Sequence, residues 1–246
     1  MVFCAPGYPG GASDAQPLVD QFASAAAAAA GWPAGSLTAV YDPTEDGGLA
    51  KLMRPDAAIA FVPYPFFVEH AVQLHLTALV QADVTDLGIQ QRWTLVAKSG
   101  RVTDPKSMAG YVILSVAGYA PDFVKQSALA DWPLPADVKI QSTGQILSAL
   151  RRVAAGEPLA ALLDQTQATA LPTLPFAADL KAVTQSAQLP VAIIAVVDSH
   201  VPAARAKSLR AALLKMSHAP GGADSLGPLR LNGFVLPVLP PSAPTP

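Results

Sequence analysis

The residues able to do chemistry sit in a few short stretches. Ser115-Val116-Ala117-Gly118 follows an apolar, β-branched run, Tyr111 to Leu114, and is followed in turn by Tyr119 and Pro121. The run reads as a short buried strand. Pro121 suits the first turn of a helix, where its missing N–H would be unpaired anyway. Strand, small-residue turn and helix start together bring backbone N–H groups and a hydroxyl to the carboxyl end of a strand. Open α/β sheets bind ligands there. The plainer alternative is that Gly118 only makes a tight turn. Asp164-Gln165-Thr166 ends a second apolar run, Leu159 to Leu163. It either touches ligand or caps the next segment. Two further loops at strand ends carry rings: Gly7-Tyr8-Pro9 and Tyr64-Pro65-Phe66-Phe67.

Signatures of catalysis and of metal binding are missing from the sequence. His70 and His75 are five apart, not four, and there is no His-Glu-x-x-His. Gly-x-Ser-x-Gly and Gly-x-x-x-x-Gly-Lys-Ser/Thr are absent too. Glu69-His70 falls on a predicted helix, where a solvated face is the bland reading. The single cysteine, Cys4, lies in a predicted first strand and reads as a buried, inert residue. No catalytic residue, metal site or cofactor is expected.

Composition narrows the class. The 246 residues are 51% hydrophobic and 14% charged, with net charge −2. That length allows one large domain or two lobes with ample core. Near-neutral charge and no basic patch make nucleic acid an unsuitable partner. Mean hydropathy is +0.34, yet no unbroken apolar run approaches the roughly 18–20 residues of a membrane span. The excess apolar content belongs in a core, a pocket or a partner surface. The chain starts directly on a strand, so an upstream targeting segment is expected to have been cut away.

These stretches need a scaffold, and the pattern supplies one. Strands are expected at 2–5, 36–41, 57–62, 76–81, 92–97, 111–114, 138–141, 159–163, 180–184 and 191–197. Helices are expected from a Ser13 or Asp14 cap to about Ala30, from an Asp42 or Thr44 cap, over Gln145–Ala155, and over Ala203–Met216. A short helical turn is expected over Asp104–Met108. The run Ala25–Ala30 favours helix, because alanine is the best helix former. Alternating strands and helices imply α/β with mainly parallel sheets. So many strands fit two small sheets better than one. The tail from Pro237 is proline-rich and should be extended or disordered.

The order of these parts resembles the type II periplasmic solute-binding proteins, in the phosphonate- and phosphite-binding group of ABC transport receptors. The resemblance is carried by Asp56 to Pro65, Ile89 to Val96, and the Asp104–Gly110 lead-in to a strand. Ser115-x-x-Gly118, the helix end Ala149 to Gly156, Gln188-Leu-Pro190 and Leu229 to Phe234 complete it. It implies a two-lobed α/β fold, each lobe a small mainly parallel sheet flanked by helices, joined by two crossover strands. Lobe one would take 1–85 and 190–236, lobe two 86–189, and 237–246 the tail. It also implies a periplasmic location, a monomer, a small-molecule ligand held between closing lobes, and an inner-membrane transporter as partner.

The departures from that family shape the expected ligand. The phosphonate binders resemble Ser-Thr-Ser-Gly where this chain has Ser115-Val116-Ala117-Gly118. A family histidine falls on Ile146, and a family acidic residue on Leu159. Each change removes a polar group, and a charged hydrogen bond is worth roughly 1.5–3 kcal/mol. With Tyr8, Pro9, Tyr64, Phe66 and Phe67 as walls, and Ser115, Tyr119, Asp164, Gln165 and Thr166 as the polar part, the expected ligand is bulky, largely apolar, lipid-like or sterol-like. The alternative keeps the family's phosphonate, phosphite or related oxyanion, with Arg92 the cationic residue nearest a crossover. A ligand-free interaction module of an envelope complex is the third reading.

Overall fold

The computed structural model describes residues 1–7 and 11–240. The chain forms two compact units, Met1–Gln90 with Pro190–Pro246, and Gln91–Leu189. It passes between them twice, through the short strands β5 (Gln90–Gln91) and β11 (Leu189–Pro190).

Unit one opens with β1 (Val2–Cys4), α1 (Ala12–Ala29), β2 (Val40–Asp42), α2 (Glu45–Leu52), β3 (Ile59–Pro63), α3 (Tyr64–Leu74) and β4 (Leu76–Val84). β12 (Ala192–Val197), α7 (Ala203–Leu213), α8 (Gly222–Leu226) and β13 (Leu231–Val235) complete it after the chain returns. Its sheet has the order β13-β4-β12-β3-β1-β2. β1 pairs parallel with β2 and β3, whereas β12 runs antiparallel between β3 and β4. Four strands therefore share one direction, with their carboxyl ends on one edge, and β12 and β13 return against them.

The core of unit one is aromatic at its centre. Phe22 and Phe61 each meet Phe3 and Phe234, and each other, with ring centroids 5.0–6.0 Å apart in edge or tilted contacts, geometries that ring quadrupoles favour. Val19 and Phe22 from α1, and Leu209, Leu213 and Met216 from the last helices, close over them. Helical spacing alone marks 19, 22, 209, 213 and 216 as inward positions; Leu18, expected on the same face, is only half-buried and stays outside this cluster.

Unit two carries β6 (Thr94–Lys98), β7 (Val112–Ser115), β8 (Lys139–Ser142), β9 (Leu159–Leu163) and β10 (Leu180–Gln185), in the order β10-β6-β9-β7-β8. β7 pairs parallel with β8 and β9, and β6 runs antiparallel to β9 and β10. Helix α4 (Pro121–Phe123) runs on into a π-helical turn, Val124–Ala128; α5 is Ile146–Ala155 and α6 is Gln165–Ala170. Pro121 stands at the first position of α4, and Gly156 ends α5 with φ of 91°, a left-handed cap that favours glycine.

Some expectations shift. Residues 36–37 form a bend and 38–39 are irregular, not strand, because Gly35 with φ of 76° turns the chain there; only Val40–Asp42 pairs with β1. Neither Ser13 nor Asp14 caps α1. Its cap is Gly11, whose carbonyl accepts from the Asp14 and Ala15 amides. Thr44 does cap α2, accepting from Gly47 N at 3.2 Å. His70 is buried, not solvated: Nε2 lies 2.9 Å from Glu45 Oε1, and the ring 4.6 Å from Phe66. β13 carries Leu231–Phe234 of the Leu229–Phe234 stretch and had not been expected as a strand.

Candidate functional site

Parallel strands end together, so the loops after them gather on one edge of each sheet. In unit two, β7, β8 and β9 bring the Ser115–Ala120 loop, the Thr143–Gln145 turn and Asp164–Thr166 to that edge. Antiparallel β6 starts there, since Thr94 pairs with Leu163. Arg92 and Trp93, just before Thr94, therefore join the same edge. Arg92 N donates to Gln165 Oε1 at 3.3 Å.

The polar groups of this edge are largely engaged with one another. Ser115 is fully buried, and its Oγ donates to the Leu162 carbonyl at 2.8 Å and accepts from Ala117 N at 3.1 Å. Gly118 N donates to the Ser115 carbonyl and Ala120 N to the Ala117 carbonyl. A Cβ on Gly118 would lie 2.1 Å from the Gln141 carbonyl oxygen, so the glycine is required by close contact with β8. Asp164 caps α6 in a reciprocal box with Gln167: Oδ1 accepts from Gln167 N at 2.8 Å, and Gln167 Oε1 accepts from Asp164 N. Burial pushes the Asp164 carboxyl above its ordinary value, against the lowering effect of the Gln167 and Thr166 amides. Arg92 is exposed, and its guanidinium donates to the Ser186 carbonyl at 2.7 Å. Thr166 is exposed, Gln165 and Tyr119 are half-buried, and Ala117 is buried.

The expected aromatic wall of unit one is not a wall. Tyr64, Phe66 and Phe67 are buried side chains of α3, with Tyr64 and Phe67 stacked at 6.3 Å. The helix starts at Tyr64 itself, with Pro65 in its first turn. That start turns the two phenylalanines into the core. Ile146 packs its side chain against the core of unit two. Tyr8 and Pro9 lie outside the described residues. Cys4 is buried, as its strand position implied, and burial pushes its thiol up to about 12.

Unit one has its own opening at the carboxyl edge. A cavity of about 270 Å³ lies beside Phe3, Phe61, Val62, Val191, Leu229 and Leu231, with Ala15 and Val19 of α1 above. None of these residues was expected to face a cavity, because each reads as ordinary core. Among the described residues, no group of three His, Cys, Asp or Glu is placed to hold a metal. No helix among the described residues is long and apolar enough to cross a membrane.

Two α/β units joined by two strand crossings, each with loops gathered at the carboxyl ends of its parallel strands, are the architecture of the two-lobed periplasmic binding proteins. Similar solved structures agree on the fold. A Xanthomonas citri protein bound to ATP superposes with a TM-score of 0.68 at 15% identity, covering 98% of this chain and 91% of that one. PhnD1 of Prochlorococcus marinus, in complex with methylphosphonate, gives 0.59 at 12% identity, covering 96% and 91%. A binding protein component of an ABC phosphonate transporter from Pseudomonas aeruginosa gives 0.58 at 14%, covering 95% and 79%. No curated protein matches the chain in sequence. The model of one family, described as ABC transporter, phosphonate, periplasmic substrate-binding protein, matches residues 70–238. The chain belongs to that family. Members of this family bind a small ligand in the periplasm and work with a membrane transporter.

Proposed function

We propose that this protein captures a phosphorus oxyanion, a phosphonate or a close relative, and delivers it to an ABC importer. The observation that carries the reading is the family match over 70–238, which contains all of unit two and its ligand-type edge. Similar folds hold methylphosphonate in one case and ATP in another. Both present tetrahedral phosphorus oxygens, and that shared chemistry is what this chain is proposed to recognise. Arg92 supplies a positive charge at the edge, and backbone amides of the loops supply neutral donors.

The lipid-like or sterol-like ligand is withdrawn as the leading reading. It depended on Tyr64, Phe66 and Phe67 as pocket walls, and those rings are core. The family match favours the oxyanion alternative.

Isothermal titration with methylphosphonate, phosphite, phosphate and ATP, with a fatty acid as the apolar counterpart, tests this. Saturable heat with at least one phosphorus oxyanion at micromolar concentration is the expected result. Binding of the fatty acid alone would overturn it.

A further inference from the structure

Three buried donors of unit two have no hydrogen-bond partner among the described residues: Gln91 Nε2, Trp93 Nε1 and Ser127 Oγ. Gln91 and Trp93 are each only 1% exposed. Buried polar groups without partners are few in folded proteins, and each calls for a cause such as a bound ion, a water or a functional role. Here all three fall in one unit, and Trp93 stands on the edge already described. Its backbone is pinned on both sides: Trp93 N donates to Ser186 Oγ and Ser186 N donates to the Trp93 carbonyl, each at 2.9 Å. The indole ring then meets Phe123 edge-on at 5.2 Å. Phe123 lies just beyond the Ser115–Ala120 loop, and Ser127 follows it by one turn.

The segment that follows Phe123 has an unusual backbone. Val124–Ala128 is a π-helical turn, with Leu129 N bonded to the Val124 carbonyl. Such turns are rare and recur at functional sites, and a return to regular i→i−4 bonding would be a register change of one residue. A change of that kind would move Phe123 and Ser127 and open the indole edge.

We infer that the Trp93 indole N–H, with the Gln91 side-chain amide, is a donor pair for the oxyanion ligand, reached when the Phe123–Ala128 segment shifts. It stands in for hydroxyls that the Val116 and Ala117 positions lack. Arg92, the neighbouring residue, supplies the charge. This inference rests on the oxyanion reading above.

The test is an NMR titration of ¹⁵N-labelled protein, following the three indole N–H signals of Trp32, Trp93 and Trp132. Trp32→Phe and Trp132→Phe variants assign the Trp93 signal even if Trp93→Phe does not fold. The probes are those phosphorus oxyanions that calorimetry shows to bind. The expected result is a downfield movement of the Trp93 signal larger than that of the other two, and a Trp93→Phe variant that binds about ten- to a hundredfold more weakly. A protein that binds an oxyanion while the Trp93 signal stays in place overturns the inference and leaves the function intact. A protein that binds none of the oxyanions overturns both.

Discussion

The Ser115 hydroxyl is bonded to the Leu162 carbonyl, 2.8 Å away at the end of the neighbouring strand β9. The same oxygen accepts from Ala117 N. A side chain that reads as a ligand contact is thus spent on holding two strand ends together. Ser115→Ala would leave a buried carbonyl and a buried amide unpaired, each costing about 1–3 kcal/mol. Urea unfolding should show a stability loss in that range. Oxyanion affinity per folded molecule should change less than tenfold.

Gly118→Ala asks for space that is absent. Its Cβ would meet the Gln141 carbonyl carbon at 2.2 Å and the Ser142 amide nitrogen at 2.5 Å, all backbone. Overpacking of this sort costs roughly 1–3 kcal/mol. Differential scanning calorimetry of Gly118→Ala should show a clear fall in Tm, whereas Gly144→Ala, with open space around it, should be nearly neutral.

Asp164 makes a pH-dependent contribution with a definite sign. Its folded value is raised by burial, so the native state holds the proton more tightly than the unfolded chain. Stability from this group is full below the ordinary aspartate value, about 3.9, and is lost as pH rises from there through the folded value. Asp164→Asn cannot titrate and still caps a helix well. The stability of Asp164→Asn relative to wild type should therefore grow from pH 3 to pH 7, as measured by urea midpoints. A flat difference would refute the burial effect.

Phe66→Ala separates a core ring from a pocket ring. The ring is fully buried and packs on His70, so truncation should cost about 3–5 kcal/mol. A variant of native stability with altered ligand binding would restore the aromatic wall.

Cys4 should not react with a thiol reagent in the native protein at pH 8, since its thiol stays protonated up to about 12. Addition of urea should release one equivalent. Rapid reaction of the folded protein would contradict the burial of β1.

Much of the fold was legible because its signals are local. Leu159–Leu163 reads as a strand from five apolar residues before a capping aspartate, and it is one. Pro121, Gly156 and Thr44 mark helix ends by backbone chemistry that needs no tertiary context. The candidate site was less legible. Phe66 and Phe67 follow a strand, as ligand loops do, but whether a ring faces a pocket depends on where the helix begins. Ser115 looked like a donor to ligand, and its use depends on Leu162, 47 residues away. Trp93 carried no signal, because an unpartnered indole nitrogen is defined only by what surrounds it.

The place of β12 has a consequence for how the protein is made. β3 and β4 never pair with each other; β12 lies between them, and it is synthesised roughly 110 residues after β4 ends. Unit two is one unbroken stretch of chain and can complete itself as it emerges. Unit one must keep two strand edges open until its central strand arrives, and such edges invite wrong partners. Any truncation before residue 192 would strand them permanently, so the sheet of unit one is completed only after unit two has been made.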